Sequence, residues 1–306
     1  YVSSSIVPAM RKMFAVAALA LSMFLSVSLS AKRPSHIVFV GLDGWGAYTM
    51  PKADMPQVKA LMDRGAWTLK KRSVLPSSSA INWASIFMGV GTEGHGYTQW
   101  GSRSPEIPSI ALSKNGIFPT IFTILREQKP EAETGLIYEW PGIAFLTDTL
   151  SISFHKNVPV GKDNDSSPIT AEAVRYLKEA KPLLLAVTYD NPDHVGHTAG
   201  HDTPEIYEIM TYLDQQIGQL IQATKDAGIY DETVFIISSD HGGIDKGHGG
   251  ITLREMETPL VMAGPGISNT GRLKSAVMQT DIAPTIAALL RLSVPQAWTG
   301  RPISEA

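Results

Sequence analysis

The sequence predicts an α/β protein, a three-layer sandwich with helices around a largely parallel sheet. Two observations lead there. Short apolar runs that read as buried strands alternate with segments of helical period, the order that winds helices around a parallel sheet. Three of the apolar runs are followed by an aspartate, Asp43, Asp193 and Asp240, and in open α/β sheets ligands bind outside the carboxyl ends of the strands.

The elements follow in order. His36–Val40 is a strand running into the loop Gly41-Leu42-Asp43-Gly44. Pro56–Arg64 reads as a helix, with proline at its start and Gly65 just past its end. Trp67–Val74 reads as extended. Ile81–Met88 is a short helix, broken by Gly89, Gly91, Gly94 and Gly96. Pro119–Glu127 reads as helix and Gly135–Tyr138 as strand. Thr170–Ala180 is a helix and Leu183–Thr188 a strongly apolar strand. From Glu205 to Ala227 the residues Ile206, Ile209, Met210, Leu213, Ile217, Leu220 and Ile221 recur at three and four positions, the stripe of a core-facing helix. Thr233–Ile237 and Leu260–Ala263 are further strands, and Asp281–Leu292 is a closing helix. The chain reads as a leader, residues 1–31, and one domain, residues 32–306. Its least regular stretch, within 100–168, leaves room for a small cap or insertion.

Composition narrows the chemistry. The 306 residues include no cysteine, which excludes a disulfide framework, thiolate metal sites, a cysteine nucleophile and a lipidated cysteine. With 26 Lys+Arg against 29 Asp+Glu the net charge is −3, so no nucleic-acid duplex binding is expected. A 43% hydrophobic content belongs to a folded chain. Any metal site must therefore draw on Asp, Glu, hydroxyls and the eight histidines.

The leader has a physical layout. Met10-Arg11-Lys12 reads as the true start, followed by the apolar run Met13–Leu29 and the small residues Ser28, Ser30 and Ala31. A basic segment, an apolar segment and a small-residue exit make a secretory signal, with cleavage expected after Ser30 or Ala31. The competing reading is an uncleaved N-terminal anchor. The expectation is export, to the periplasm or the exterior.

Polar residues gather where the apolar runs end. Asp193 and His197 lie four apart; Asp240 and His241 are adjacent; His248 follows in a Gly-rich loop. Five of the eight histidines fall between 194 and 248. Imidazole and carboxylate together suit zinc and similar ions. One strand-end aspartate alone would more simply cap a turn. Pro76-Ser77-Ser78-Ser79-Ala80-Ile81-Asn82 enters a helix, where a serine is ordinarily an N-cap. The same place offers a hydroxyl beside a helix N-terminus, which favours an anion.

In order, Gly41-Leu42-Asp43-Gly44, Pro76-Ser77-Ser78-Ser79-Ala80-Ile81-Asn82, Gly94-His95-Gly96, Pro192-Asp193 with Gly196-His197, Ser239-Asp240-His241-Gly242 and Gly247-His248-Gly249 resemble the alkaline phosphatase superfamily. They are most similar to its type I phosphodiesterase/nucleotide pyrophosphatase branch. The resemblance runs from Ile37 to Arg301 and includes Thr280–Thr285, structural in that family. It implies an alkaline phosphatase-like fold and two divalent metal ions, zinc at both positions. Asp43, Asp240 and His241 would hold one, with Ser79 as its reactive ligand; Asp193, His197 and His248 would hold the other. It further implies that Ser79 attacks phosphorus to form a phosphoserine intermediate, and that Asn82 donates to a nonbridging phosphoryl oxygen. Ser79 stands where the branch usually has threonine, and Ile81 where it commonly has proline. The implied partner is a small phosphate ester or nucleotide-like substrate.

The surrounding residues have plainer readings. His95 reads as a turn residue with a satisfied hydrogen bond, and His194 and His201 as exposed or supporting residues. Lys246 is either a phosphate contact or a solvated loop charge. Trp83, Tyr97 and Trp100 form either an aromatic wall or ordinary core. Tyr138-Glu139-Trp140-Pro141 has no assigned role. A phosphomonoesterase on the same site is the main alternative, although no arginine falls in the motifs to clamp the extra charge of a monoester. A sulfatase would need a Cys or a Ser-x-Pro-x-Arg motif, and neither occurs. A phosphoglycerate mutase shares the string Leu42–Gly46 but is a longer cytosolic protein. A non-catalytic binding protein would have lost ligands, whereas all six metal positions and Ser79 are present.

Overall fold

The computed structural model describes residues 33–306; the leader read at residues 1–31 lies outside them. The elements are β1 (His36–Leu42), α1 (Pro56–Asp63), β2 (Ala66–Arg72), α2 (Ser79–Met88), α3 (Thr92–His95), α4 (Ile121–Gln128), β3 (Thr134–Tyr138) and β4 (Phe154–Asn157). They continue with α5 (Ser167–Ala180), β5 (Leu184–Tyr189), α6 (Asp193–Ala199), α7 (Pro204–Asp226), β6 (Thr233–Ser238), α8 (Leu253–Met256), β7 (Glu257–Ala263), β8 (Gly271–Arg272) and α9 (Ile282–Leu289).

The strands form one eight-stranded sheet in the order β4-β3-β5-β1-β6-β7-β2-β8. β7 pairs antiparallel with both β6 and β2, and every other pairing is parallel. The sheet is therefore largely parallel, as expected. The reversal of β7 has a local cause: residues 239–256 return directly from the end of β6 into β7 without crossing a face. This hairpin-like connection can only make an antiparallel neighbour. β4 and β8, four and two residues long, are too short and too polar to announce themselves as apolar runs. β3 and β4 belong to the irregular 100–168 stretch and hydrogen-bond into the main sheet.

Alternate residues of β1 face opposite layers. Ile37 and Phe39 pack with Trp83, Phe87, Phe122 and Ile286, from α2, α4 and α9. Val38, Val40 and Leu42 pack with Val58, Leu177, Leu213 and Ile217, from α1, α5 and α7. A strand covered on both faces is apolar throughout, which is why period two was absent from it. The α7 stripe is buried as its spacing predicts: Ile206, Met210, Leu213, Ile217, Leu220 and Ile221 are all in the core, with Ile209 partly buried against it. Burying each such side chain contributes roughly 1.5–3 kcal/mol.

α2 begins two residues earlier than its apolar pattern suggested. All ten of its residues are buried, and it ends at Gly89 in the left-handed conformation (φ 60°). A helix enclosed on all sides shows no amphipathic stripe from which to read its first turn. That first turn carries Ser79. Among the described residues no helix is long and apolar enough to cross a membrane.

Candidate metal centre and nucleophile

The site lies at the carboxyl ends of three adjacent central strands, β5, β1 and β6. β1 delivers Asp43. β5 runs through a short turn into α6, which places Asp193 in its first turn and His197 one turn later on the same face. β6 delivers Asp240 and His241, and the Gly-rich connection to β7 brings back His248. Gly44 makes the packing possible. Its φ is +72°, and a Cβ there would lie 2.7 Å from the Asp193 Cβ. Its N–H donates to Asp240 Oδ1 at 3.0 Å.

Two three-residue groups converge, Asp193/His197/His248 and Asp43/Asp240/His241, each with its ligand atoms within 4.8 Å of one another. In the first, His197 Nε2 is 3.0 Å from Asp193 Oδ2 and His248 Nε2 is 3.7 Å from Asp193 Oδ1. In the second, His241 Nε2 is 3.2 Å from Asp240 Oδ2 and 3.4 Å from Asp43 Oδ1. The His241 and His248 rings stack at 3.8 Å, so the groups adjoin.

The donor sets fit metal ions on three observations. Asp193 Oδ1 and Asp240 Oδ2 are buried with no hydrogen-bond partner, an arrangement that costs free energy unless something positive meets them. Each imidazole turns Nδ1 to a backbone carbonyl: His197 to Lys246 at 2.9 Å, His241 to Gly242 at 2.7 Å, His248 to Ser77 at 3.2 Å. Nδ1–H donation leaves Nε2 as the atom that faces the carboxylates, the usual support of a metal-bound histidine. Finally, imidazole and carboxylate are the ligand types that suit zinc.

The electrostatics agree. Burial, reinforced by the neighbouring carboxylates, raises Asp43 and Asp240 well above the usual carboxylate range. Burial also lowers His241 to about 3 and lowers His248, so both imidazoles are neutral and free to ligate. Burial alone would raise Asp193, but the His197 hydrogen bond and the surrounding imidazoles outweigh it and hold Asp193 at about 2. The same hydrogen bond raises His197 to about 9, so in the metal-free chain this imidazole carries a proton that a metal ion must displace.

Ser79 stands at the floor of a cleft of about 150 Å³ shared with Asp43, Asp190, Asp193, His197 and His248. Its Oγ is 3.0 Å from His241 Nε2 and 3.5 Å from Asp43 Oδ1. Of the three consecutive serines, Ser77 spends its hydroxyl on the Gly250 carbonyl, Ser78 at the N-cap position makes no side-chain cap bond, and Ser79 is the one whose Oγ reaches Asp43 and His241.

Asn82 departs from its expected place beside the substrate. It is fully buried, and its amide donates to the carbonyls of Val74, Pro76 and Ser78 while its Oδ1 accepts from Val74 N–H and Gln279. Every polar atom is consumed in holding the loop that carries Ser79, which leaves no donor for a phosphoryl oxygen. One donor at the helix start is also taken, since Ala80 N–H bonds the Trp100 carbonyl.

Of the three aromatic residues weighed as a wall, Tyr97 is core and bonds the Phe145 carbonyl. Trp83 is core as well, with its indole N–H donating to Asp43 Oδ2 at 2.8 Å. Trp100 does line the cleft, together with Trp140 and His194. His95 is the satisfied turn residue expected, accepting from Tyr97 N–H and bonding Ser85. His201 is buried rather than exposed, against Gly196 and Gly243 and 3.9 Å from Asp193 Oδ1. Lys246 contributes its carbonyl to His197.

Sequence reading passed over Trp83 as a support for Asp43, although it lies four residues from Ser79 on the same helix face. It also passed over Lys71 and Gln279. Lys71 Nζ, fully buried, bonds the Ser239 carbonyl at 2.9 Å and the Gln279 side chain. Gln279 in turn bonds Asn82 and the Asp240 carbonyl. A lysine inside a strand and a glutamine before a helix carry no sequence signal of this kind.

Residues 37–258 match the family described as type I phosphodiesterase / nucleotide pyrophosphatase, and the chain belongs to that family. A human relative, "Ectonucleotide pyrophosphatase/phosphodiesterase family member 5", is 24% identical over 311 residues, covering 93% of this chain. The chain spans 62% of that protein's length. Among solved structures, murine ectonucleotide pyrophosphatase/phosphodiesterase 5 in complex with AMP superposes with a TM-score of 0.68 at 16% identity, covering 85% of this chain and 96% of that one. A 2-O glycosaminoglycan sulfatase also superposes with a TM-score of 0.68 at 16% identity, covering 89% of this chain and 73% of that one. At these identities the superpositions establish the fold, which is alkaline phosphatase-like.

Proposed function

We propose that the chain is a metal-dependent phosphoric ester hydrolase that splits a diester or pyrophosphate bond through a covalent phosphoserine. The observation that carries this is the position of Ser79 Oγ, at the first residue of α2 and 3.0 Å from His241 Nε2. Family membership and the human relative's name support the reaction class.

Asp43, Asp240 and His241 would hold one dication and Asp193, His197 and His248 a second; bound, they supply the Lewis acidity that lowers the pKa of a hydroxyl and stabilises attacking and leaving oxygens. The remaining work belongs to the chain. Ser79 attacks phosphorus in line, its Oγ–P bond forming as the bond to the first alcohol or phosphate breaks. That group leaves with a proton. Water then cleaves the phosphoserine ester, regenerating the hydroxyl and releasing the phosphate monoester. The Asn82 clamp and the buried helix behind Ser79 hold its Oγ in one place, which converts binding into alignment.

The cleft favours diesters over monoesters, since no arginine is among the residues lining it to pair with the additional charge. Trp100 and Trp140 at its mouth offer flat apolar faces to the ester's organic group, and a nucleoside would fit that chemistry. The leader read at residues 10–31 supports action outside the cytoplasm.

The test is a comparison of four substrates, with zinc and after chelation: an aryl phosphate diester, an aryl phosphate monoester, a nucleotide pyrophosphate and an aryl sulfate. Metal-dependent hydrolysis led by the diester or the pyrophosphate is expected. Preference for the sulfate would sink the reading.

A further inference from the structure

A second concave surface flanks the site. Lys70 and Arg72 of β2, with Arg272 and Lys274 at β8, line a groove of about 980 Å³ whose apolar lining includes Leu253 and Met278. One carboxylate, Glu257, lies in it, ion-paired to Arg72 at 3.3 Å. Glu305 lies close by, its carboxylate held by the Lys274 and Ser275 backbone. Four cations against these two carboxylates leave the groove an excess of positive charge in a chain whose net charge is −3. A concentration of one sign against the overall balance marks a surface for an anionic partner.

Beside the groove stand large apolar side chains that a soluble protein ordinarily covers: Ile251 is 79% exposed, Leu253 53%, Leu75 45% and Met278 40%. They come from neighbouring loops. Ser77 Oγ bonds the Gly250 carbonyl at 2.7 Å, which brings the loop of Leu75 beside the loop of Ile251. Ser73 N–H bonds the Met256 carbonyl and Arg72 N–H the Val277 carbonyl, which brings Leu253 and Met278 to the same edge. Grouped apolar side chains on a folded surface mark an interaction site. The same two loops carry Ser79 and His248, so this face and the catalytic cleft open toward the same end of the sheet.

We propose that this face docks on an anionic phospholipid bilayer, with Lys70, Arg72, Arg272 and Lys274 against headgroup phosphates and the four apolar side chains in the interface. The pairing of the two chemistries selects the partner. Cations alone fit any polyanion, but exposed Ile and Leu gain nothing from a sulfated polymer or a nucleic acid. At a bilayer the apolar side chains enter the acyl boundary while the cations meet the lipid phosphates. Docked in this way, the chain presents its cleft to phosphodiesters at the membrane surface. The docking itself is measured without turnover and stands apart from the hydrolytic reading.

The absence of cysteine makes the test direct. Leu253→Cys, labelled with an environment-sensitive fluorophore, is titrated with vesicles of phosphatidylcholine alone and of phosphatidylcholine with phosphatidylglycerol. Glu179→Cys is the control; it sits near the end of α5, at the opposite end of the sheet. A blue shift is expected at Leu253→Cys only, with the anionic vesicles. It should weaken as salt is raised from about 0.1 M to about 1 M, which shortens the Debye length from about 10 Å to about 3 Å. Replacing Lys70, Arg272 and Lys274 together by glutamine should lower partitioning about a hundredfold, at roughly fivefold per cation. The apolar run at 13–29 is present in every variant, so the readout is the Leu253→Cys shift rather than bulk partitioning, and a shift undiminished by the triple replacement would overturn the proposal. An equal Leu253→Cys shift with neutral vesicles, or capture by a soluble sulfated polymer with no shift on vesicles, overturns it too.

Discussion

Ser79 and Asp43 illustrate how much one side chain decides. On the proposed mechanism Ser79→Ala removes the attacking atom while leaving the six candidate Asp and His ligands in place, so turnover should fall by roughly three orders of magnitude or more with added zinc still bound. Metal analysis beside a rate measurement separates the two; full activity would remove Ser79 from the mechanism. Trp83 makes the subtler case. Its indole N–H fixes Asp43 Oδ2 at 2.8 Å and so leaves Oδ1 toward His241 and Ser79. The chain is built around this ring: a Cβ on Gly41 would lie 2.3 Å from it. Trp83→Phe keeps most of the ring volume and deletes the donor. Zinc affinity should drop about 10- to 100-fold, as for other residues that orient a ligand. A calorimetric zinc titration reads it, and unchanged affinity would show that packing alone orients Asp43.

At the scale of elements, the loop from Val74 to Ser79 is the part that fixes the proposed nucleophile, and Asn82 is its clamp. Asn82→Ala would leave the Val74 N–H and carbonyl without their partner, while the Pro76 and Ser78 carbonyls keep backbone N–H donors, at about 1–3 kcal/mol for each group left buried and unsatisfied. The expected loss is on the order of 3 kcal/mol, a melting temperature lower by roughly 6–12 °C, together with slower turnover. Slower turnover at an unchanged melting temperature would instead return Asn82 to the substrate. This residue also shows where sequence stops. The clustering of Asp43, Asp193, His197, Asp240, His241 and His248 was legible in the Asp residues that follow apolar runs and the His residues beside glycines, while their division into two groups came from the family resemblance. The strands β1, β5 and β6 were legible as apolar runs. Asn82 matched a motif, but a motif gives residue types and spacing, not the direction a carboxamide points; that depends on carbonyls at 74, 76 and 78 and on Gln279, about two hundred residues away. β4 and β8 were illegible for a related reason, being edge strands specified by their neighbours rather than by their own hydropathy.

For the whole molecule the consequence is a coupling between metal, pH and stability. Burial holds His95 at about 4, His201 at about 4 and His241 at about 3, all below the value near 6.5 of an exposed imidazole. The unfolded chain therefore binds protons first as pH falls, so the stability these residues leave intact above about pH 6.5 is lost as pH drops toward their folded values. For His95 alone, buried and hydrogen-bonded as the neutral tautomer, the loss would reach roughly 3 kcal/mol. Asp43 and Asp240 act in the opposite sense. Raised by burial, they favour the folded state more as pH falls and they take up protons. In the metal-free chain the two tendencies offset one another. A dication on Asp43 and Asp240 keeps both ionised and removes the offset, so the loaded chain should lose stability more steeply below about pH 6.5. At about pH 7, zinc at a hundred times its dissociation constant should add about 2.7 kcal/mol, a rise of roughly 5–10 °C in melting temperature. That gap should close as pH approaches about 5, where protons compete for the same carboxylates and imidazoles. Calorimetric melting with zinc and with a chelator across this range tests it; a gap as wide at the acid end as at neutrality would mean that the ion sits on other ligands.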